Sequence, residues 1–416
     1  MTYDDALATL NALEGRGWRL GLDRMRAFVE RAGLSSTLSN RGYVHVAGTN
    51  GKGTTTAFVE SILRHQGWRT GAFYSPYVVD YRERIQANGK MIPPHELTAL
   101  VEQLMPVADA MADTEFGGAT KFELEAAMGL AYWEEKGCDW VALEVGLGGR
   151  LDATNVVTPR ICVIVSIGLD HTSILGNTLE DIAREKAGII KPGIPVVIGE
   201  MHPAAEDTIC RIAHDNKAPV WRMGREVIYR EEGRGWTVET PAGSVSDLTP
   251  SIPGAQTPHN MALAVAGCFA AGSIKDASFI REAVHTTWLP GRMDVRQVDG
   301  VEVVFDGAHN ADAARILVKS LPDRVRLVSN MLSGHEAAPF YRAFCDRVVG
   351  VEVAPIDSPR AMPVDDTVRM LVDEGIPARG HHTVGEALQA AIAEKDATVV
   401  VCGSNYLVGD ALRAIG

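Results

Sequence analysis

The residues best suited to chemistry fall in one heptapeptide, Gly48-Thr49-Asn50-Gly51-Lys52-Gly53-Thr54. Its glycines let successive backbone N–H groups curl around an anion where side chains would clash. Lys52 can neutralise the outer phosphates of a nucleotide, and the Thr54 hydroxyl can ligate Mg²⁺ beside them. A helix opening at the loop would add its N-terminal N–H groups to the same cradle. The spacing departs from the common nucleotide loop, because the first glycine comes early and Gly53 separates the lysine from the hydroxyl. A plain Gly/Thr/Asn turn with a surface lysine is the alternative. The β-type run before the loop and the helical pattern after it weigh against that turn.

Three more residues carry a chemical signal. Glu144 lies in the apolar run Trp140-Val141-Ala142-Leu143-Glu144-Val145, and a buried carboxylate needs a cation as partner. Mg²⁺ is that cation if the strand lies beside the glycine loop; otherwise an ion pair, with Arg150 for example, is expected. His171 follows the run 161–167, and ligands of open α/β sheets collect beyond the carboxyl ends of strands. A purely structural histidine is the alternative there. Lys186 closes the predicted helix Leu179–Ala187, where the helix dipole alone accounts for a lysine.

Such groups meet only if the strands carrying them end together. Residues 3–32 predict two helices around Gly15-Arg16-Gly17, followed by a strand over 43–47, the glycine loop and a helix through Phe58, Ile62 and Leu63. Continuous apolar runs at 140–145, 161–167 and 195–198 alternate with helical stretches such as 123–136 and 179–187. That order predicts a mostly parallel sheet with helices on both faces. Residues 221–246 show short alternating segments around Gly233-Arg234-Gly235, predicting a small antiparallel insertion over roughly 217–247. After Leu289-Pro290-Gly291-Arg292 the pattern restarts, with strands expected at 301–304, 325–328, 348–353 and 398–401. The expected fold class is therefore α/β: a loop-bearing central domain over 1–290 and a smaller open α/β domain over 291–416.

Bulk properties set the outer limits. A chain of 416 residues fits two domains. With 46% hydrophobic and 22% charged residues it has an ordinary globular composition. A net charge of −13 argues against wrapping nucleic acid. The six cysteines are scattered, with no C-x-x-C pair, so neither a zinc site nor a disulfide framework is expected. The N-terminus lacks a signal-peptide pattern, and no apolar run reaches bilayer length. A cytoplasmic monomer without membrane or nucleic-acid partners is the expectation.

Together these segments resemble the folylpolyglutamate synthase and dihydrofolate synthase family of the Mur ligase superfamily. The likeness is carried by Gly21-Leu22-Asp23-Arg24-Met25, the glycine loop, Ser75-Pro76, Arg82-Glu83-Arg84, the run from Glu144 to Asn155, and Leu169-Asp170-His171-Thr172. It continues through the run from Arg184 to Ile189, Leu289-Pro290-Gly291-Arg292, Phe305-Asp306-Gly307-Ala308-His309-Asn310 and Cys402-Gly403-Ser404. The resemblance implies ATP and two Mg²⁺ ions. Thr54, Ser75 and Glu144 would surround one ion, while His171 and a carbamylated Lys186 would hold the second. Thr49, Asn50, Gly51, Lys52, Gly53 and Thr54, with Asn260, Arg292 and Asp306, would contact ATP lying between the domains. Phe122, Glu123, Asp152 and Ala153 would hold a pterin, with Leu20, Gly21, Leu22 and Asp23 adding to that pocket.

The implied reaction joins L-glutamate to a folate or dihydropteroate. The acceptor carboxylate attacks the γ-phosphate of ATP, and the glutamate amine then displaces phosphate from the acyl phosphate. Lys52 and Lys186 would serve that chemistry, with His309 positioning the γ-phosphate or a water; an ordering contact to Asp306 is the other role for His309. The chain also departs from the family. Tyr77-Val78 replaces His-Leu, Ala255-Gln256 replaces His-Gln, and Gly334-His335-Glu336 replaces an Asp-Lys-Asp loop. Those changes keep two alternatives in view: a ligase with a divergent carboxylate acceptor, and a catalytically weak ATP-binding regulatory protein.

Overall fold

The computed structural model describes residues 1–17, 19, 21–334 and 336–415. It divides into two compact units. The first comprises Met1–Ser75, Arg82–Pro250 and Pro258–Thr287; the second comprises Pro76–Tyr81, Ser251–Thr257 and Trp288–Gly416.

Strands buried on both faces require a covering layer on each side, and the element order of the first unit supplies them. Its main strands are β1 (Gly42–Ala47), β2 (Thr70–Phe73), β3 (Ile85–Ala87), β4 (Lys90–Met91), β5 (Trp140–Glu144), β6 (Ile161–Ile164), β7 (Val196–Ile198) and β8 (Val220–Arg222). They pair in the order β4-β3-β2-β5-β1-β6-β7-β8. From β2 across to β8 every pairing is parallel, and β3 and β4 add an antiparallel margin. The helices are α1 (Tyr3–Ala12), α2 (Asp23–Arg31), α3 (Lys52–His65), α4 (Pro94–Ala110), α5 (Lys121–Glu135), α6 (Thr172–Leu175), α7 (Leu179–Ala187), α8 (Pro203–Asp215), α9 (Thr257–Ala270) and α10 (Phe279–Thr286). Their starts are chemically marked: Thr120 and Glu123 form a capping box on α5, and Thr178 caps α7. On one face of the sheet Cys162, Ile164 and Val196 pack with Ala183, Ala187 and Ile209.

The region expected to be a purely antiparallel insertion divides in two. Trp221 lies in β8, which extends the main sheet in parallel. Only β9 (Ile228–Glu232), β10 (Gly235–Thr240) and β11 (Gly243–Leu248) form the separate antiparallel sheet. The short apolar step Val220-Trp221 gives no periodicity by which to separate the two.

In the second unit, β12 (Asp294–Val298), β13 (Val301–Phe305), β14 (Val325–Ser329), β15 (Val348–Val353), β16 (Ala378–Gly380) and β17 (Thr398–Cys402) pair in the order β12-β13-β17-β14-β15-β16. Among the described residues, β12–β13 is the antiparallel pairing of this sheet and its other strand pairings are parallel. The helices α11 (Ala311–Val318), α12 (Ala337–Arg342), α13 (Val364–Asp373), α14 (Val384–Glu394) and α15 (Asn405–Ile415) complete the unit. Alternation along β17 shows both faces covered: Val400 and Cys402 join one core cluster, Val399 and Val401 the other. Val78 is buried in the latter cluster with Leu407 and Val408, which explains why the segment 76–81 belongs to this unit. Among the described residues no helix is long and apolar enough to cross a membrane.

Candidate active site

The glycine loop leaves the end of β1, and Lys52 opens α3. It is sewn to the segment after β6: Thr49 N donates to Ser166 O at 2.9 Å, and Asn50 N donates to Ser166 Oγ at 2.9 Å. Gly51 takes a left-handed φ of 84°, and a Cβ there would lie 2.6 Å from Asn260 Oδ1. Both conditions select glycine. The Asn260 Oδ1 atom is buried without a partner among the described residues. An acceptor left open beside a phosphate-type loop fits a donor group on a nucleotide.

The neighbours of β1 bring the other expected groups to the same edge. Because β2, β5, β1 and β6 are adjacent and parallel, their carboxyl ends lie together. Ser75 follows β2, Glu144 ends β5, and His171 lies beyond β6. The chain leaves β1 toward β2 on one side and reaches β6 on the other, the reversal beside which open α/β sheets place ligands. Ser75 N donates to the buried Glu144 carboxylate at 3.2 Å. Arg150 pairs with Glu185 at 2.8 Å, so the ion pair considered for Glu144 is made with a different carboxylate. Thr54 is buried in the first turn of α3. His171 has a left-handed φ of 49°, and its Nε2 lies 4.0 Å from Asp170 Oδ1. Among the described residues no three His, Cys, Asp or Glu side chains converge as a metal cluster. A divalent ion here would depend on Glu144, on hydroxyl oxygens and on the phosphates it accompanies, the usual manner of Mg²⁺.

Lys186 is the group whose placement the helix dipole does not explain. It is buried, and its Nζ donates to Gly48 O at 3.0 Å. Lys52 Nζ donates to the same carbonyl at 3.0 Å and to Thr49 O at 3.3 Å. Two lysine side chains thus share one loop oxygen. Burial first, and the Lys52 charge second, push the Lys186 ammonium down to about 7, against the pull of Asp170 and Asp152. An amine partly unprotonated near neutral pH can add CO₂ to become a carbamate, an anionic oxygen ligand.

On the expected pterin side several of the named residues are engaged within the protein. Phe122 is half-buried, with its ring against the backbone of Gly146: a Cβ on that glycine would lie 2.4 Å from Phe122 Cζ. The Glu123 carboxylate is engaged by the Thr120 cap and by Arg24, whose Nε lies 2.7 Å away. Asp152 accepts from Leu147 N at 2.8 Å, from Thr154 N at 3.0 Å and from the Thr154 hydroxyl. Its burial raises the carboxyl pKa in spite of these donors. Ala153 is buried beside it. Gly21 and Leu22 lead into α2, while Asp23 is exposed and pairs with Arg26 at 3.2 Å. Leu20 lies outside the described residues, as does His335.

In the second unit, Asp306 accepts from Met293 N at 3.0 Å and Ala308 N at 2.9 Å. Burial raises its pKa, and Arg292 opposes that rise. Arg292 Nη1 donates to Asn405 Oδ1 at 2.9 Å. His309 Nδ1 lies 2.7 Å from Gly307 O, a backbone carbonyl two residues back. Tyr77, at one departure from the family pattern, packs edge-on against Tyr81 and Tyr406. At another, Gly334 has a left-handed φ of 97° and Glu336 precedes α12.

With that geometry in place, residues 46–268 match the Mur ligase middle domain, and residues 292–414 match the dihydrofolate synthetase C-terminal domain. The dihydrofolate synthase/folylpolyglutamate synthase of Bacillus subtilis (strain 168) is 38% identical over 77% of this chain and 76% of its own length. The solved structure of Escherichia coli FolC in complex with DHPP and ADP superposes with a TM-score of 0.89 at 34% identity, covering 99% of this chain and 97% of that one. The Yersinia pestis bifunctional folylpolyglutamate synthase/dihydrofolate synthase, complexed with AMPPNP and Mn ion, gives a TM-score of 0.87 at 31% identity over 100% of this chain and 98% of that one. The chain belongs to the dihydrofolate synthase/folylpolyglutamate synthase family. It is an ATP-dependent ligase of the Mur ligase superfamily, and the α/β fold expected from the sequence is the fold of that family.

Within this ligase framework, several organising residues escaped sequence reasoning. Arg24 ties the start of α2 to the cap of α5, and Ser166 braces the phosphate loop through its hydroxyl. His45 and Thr154 form a buried pair at 2.9 Å. A polar residue inside the otherwise apolar strand 43–47 was the available signal for His45; no spacing pattern links it to Thr154.

Proposed function

We propose that this chain adds L-glutamate to the carboxylate of a folate or dihydropteroate at the expense of ATP, as a dihydrofolate synthase, a folylpolyglutamate synthase or both. The observation that carries the residue assignment is the meeting of Lys52 and Lys186 on the Gly48 carbonyl, beside strand ends that bear Ser75, Glu144 and His171. Gly51, Lys52, Gly53 and Thr54 cradle the nucleotide's phosphates with backbone N–H groups, Thr49 and Asn50 hold the loop in shape through their N–H bonds to Ser166, and the Lys52 ammonium neutralises the phosphates. Asn260 supplies the open acceptor described above, and Arg292 and Asp306 are assigned further nucleotide contacts.

Thr54, Ser75 and Glu144 would hold one Mg²⁺, and His171 with carbamylated Lys186 a second. Bound there, these ions would supply charge neutralisation on the transferred phosphoryl group. The chain's own groups orient the acceptor carboxylate toward the γ-phosphate, whose transfer yields ADP and an acyl phosphate. The amine of glutamate then attacks the activated carbonyl carbon, forming the C–N bond as phosphate departs. His309 is assigned a role in positioning the phosphoryl group. Phe122, Ala153 and the segment from Gly21 to Asp23 are assigned to the heterocycle, with Glu123 and Asp152 organising that wall. Action as a cytoplasmic monomer completes the proposal.

Mass spectrometry of products decides it. Incubation with ATP, Mg²⁺, glutamate, dihydropteroate and tetrahydrofolate is expected to yield glutamylated pteridines together with ADP. Failure of glutamate to stimulate ADP release with either acceptor would remove the reading.

A further inference from the structure

His45 sits in β1 three residues ahead of the phosphate loop, with its ring fully buried. Its Nε2 lies 2.9 Å from Thr154 Oγ1, and its Nδ1 has no partner among the described residues. Thr154 has a single hydroxyl proton, and its Oγ1 is also bonded to Asp152 Oδ1, a carboxylate oxygen that accepts. The threonine proton therefore goes to Asp152. The remaining bond is His45 Nε2–H donating to a threonine lone pair, which fixes the tautomer and leaves Nδ1 bare. Asp152 in turn holds Leu147 N at 2.8 Å, and the neighbouring Gly146 is the backbone against which Phe122 rests. Hydrogen bonds thus link the strand under the phosphate loop to the Gly146-Leu147 turn, against whose backbone the Phe122 ring packs.

We propose that His45 is a positioning residue for the pteridine-bearing acceptor: by orienting Thr154 and Asp152 it sets the Gly146-Leu147 turn, and with it Phe122, against the acceptor's planar ring. The proposal rests on the reading of Phe122 as an acceptor contact. Burial drives the His45 ring down to about 3, with the Lys191 charge adding to the effect. The imidazole is accordingly neutral at working pH and keeps its single N–H for Thr154.

The test compares two pairs of variants in glutamate-dependent ADP release with dihydropteroate and tetrahydrofolate. His45→Leu and Thr154→Val each break the path, while His45→Gln and Thr154→Ser retain a donor or a hydroxyl. Losing one hydrogen bond of ordinary net strength predicts a rise of about three- to tenfold in acceptor KM for the breaking variants. The KM for ATP and kcat at saturating acceptor should stay within about twofold, because only the placement of Phe122 is altered. The retaining variants should recover most of the loss. Combining His45→Leu with Thr154→Val should add little to either alone, since both break one path.

An unchanged acceptor KM in the breaking variants overturns the proposal, and so do equal rises in the KM of ATP and acceptor. Failure of His45→Gln to improve on His45→Leu also overturns it. The Thr154 pair decides the matter should His45→Leu fail to fold. Wild-type protein inert on every pteridine would overturn the underlying functional reading and this proposal together, whereas active wild type with unaffected variants would sink this proposal alone.

Discussion

Replacing Lys186 with methionine should stabilise the ligand-free protein while abolishing turnover. The buried Nζ has a pKa that falls from 10.5 to about 7 on folding. A depressed folded pKa means the unfolded chain holds the proton over the interval between those values. The lysine's contribution is therefore at its best above 10.5 and declines as pH falls toward 7. At pH 7 the difference amounts to about 4 kcal/mol of lost stability, and by pH 9 to about 2 kcal/mol, from 1.36 kcal/mol per pKa unit. Methionine has similar length and no charge, and Lys52 still occupies the Gly48 carbonyl, so little of the gain should be returned. Urea unfolding in CO₂-free buffer with chelator, at pH 7, 8 and 9, measures the variant minus wild-type difference. That difference should be about 3 kcal/mol or more at pH 7 and shrink by about 1 kcal/mol per pH unit between pH 7 and 9. A variant no more stable than wild type at pH 7, or a difference that ignores pH, would refute the argument.

Other outcomes are equally specific. Lys52→Ala should suppress ADP formation by at least about a hundredfold, judged from the loss of one preorganised charge contact, with the melting temperature little changed; near-normal turnover would remove Lys52 from the mechanism. Gly51→Ala forces a side chain into the left-handed region at a cost of about 1–2 kcal/mol, beyond the contact with Asn260, so calorimetry should show ATP binding weakened at least about tenfold. For His45 the folded pKa is also depressed, from 6.5 to about 3. Stability is therefore complete above 6.5 and falls with acidification, by about 2 kcal/mol at pH 5. His45→Gln should lack that component, which parallel urea titrations at pH 7 and 5 would register.

Much of the central unit was legible because its strands read as continuous apolar runs and its glycine loop, with Lys52 and Thr54, stands between a strand and a helix. Glu144, His171 and the loop were expected at one sheet edge, and the parallel pairing of β5, β1 and β6 puts their strand ends there. Lys186 resisted reading, since nothing in its helix distinguishes a buried amine on Gly48 O from an exposed dipole partner. The carboxylates of Glu123 and Asp152 looked like ligand contacts, yet Arg24, Thr120, Leu147 and Thr154 engage them. Thr120 stands at capping-box spacing from Glu123 and was open to sequence reading, whereas Arg24, Leu147 and Thr154 lie at separations with no periodic signature. Residues 76–81 likewise look like part of the first unit, because one buried valine, Val78, gives too weak a signal to reassign a segment.

The main sheet finishes in two very short strands, Lys90–Met91 at one margin and Val220–Arg222 at the other. Neither offers enough free backbone to recruit a strand from another molecule. The hairpin over 85–91 accordingly acts as a selvage: cutting it away would bare the whole length of Thr70–Phe73 and turn a finished border into an adhesive one.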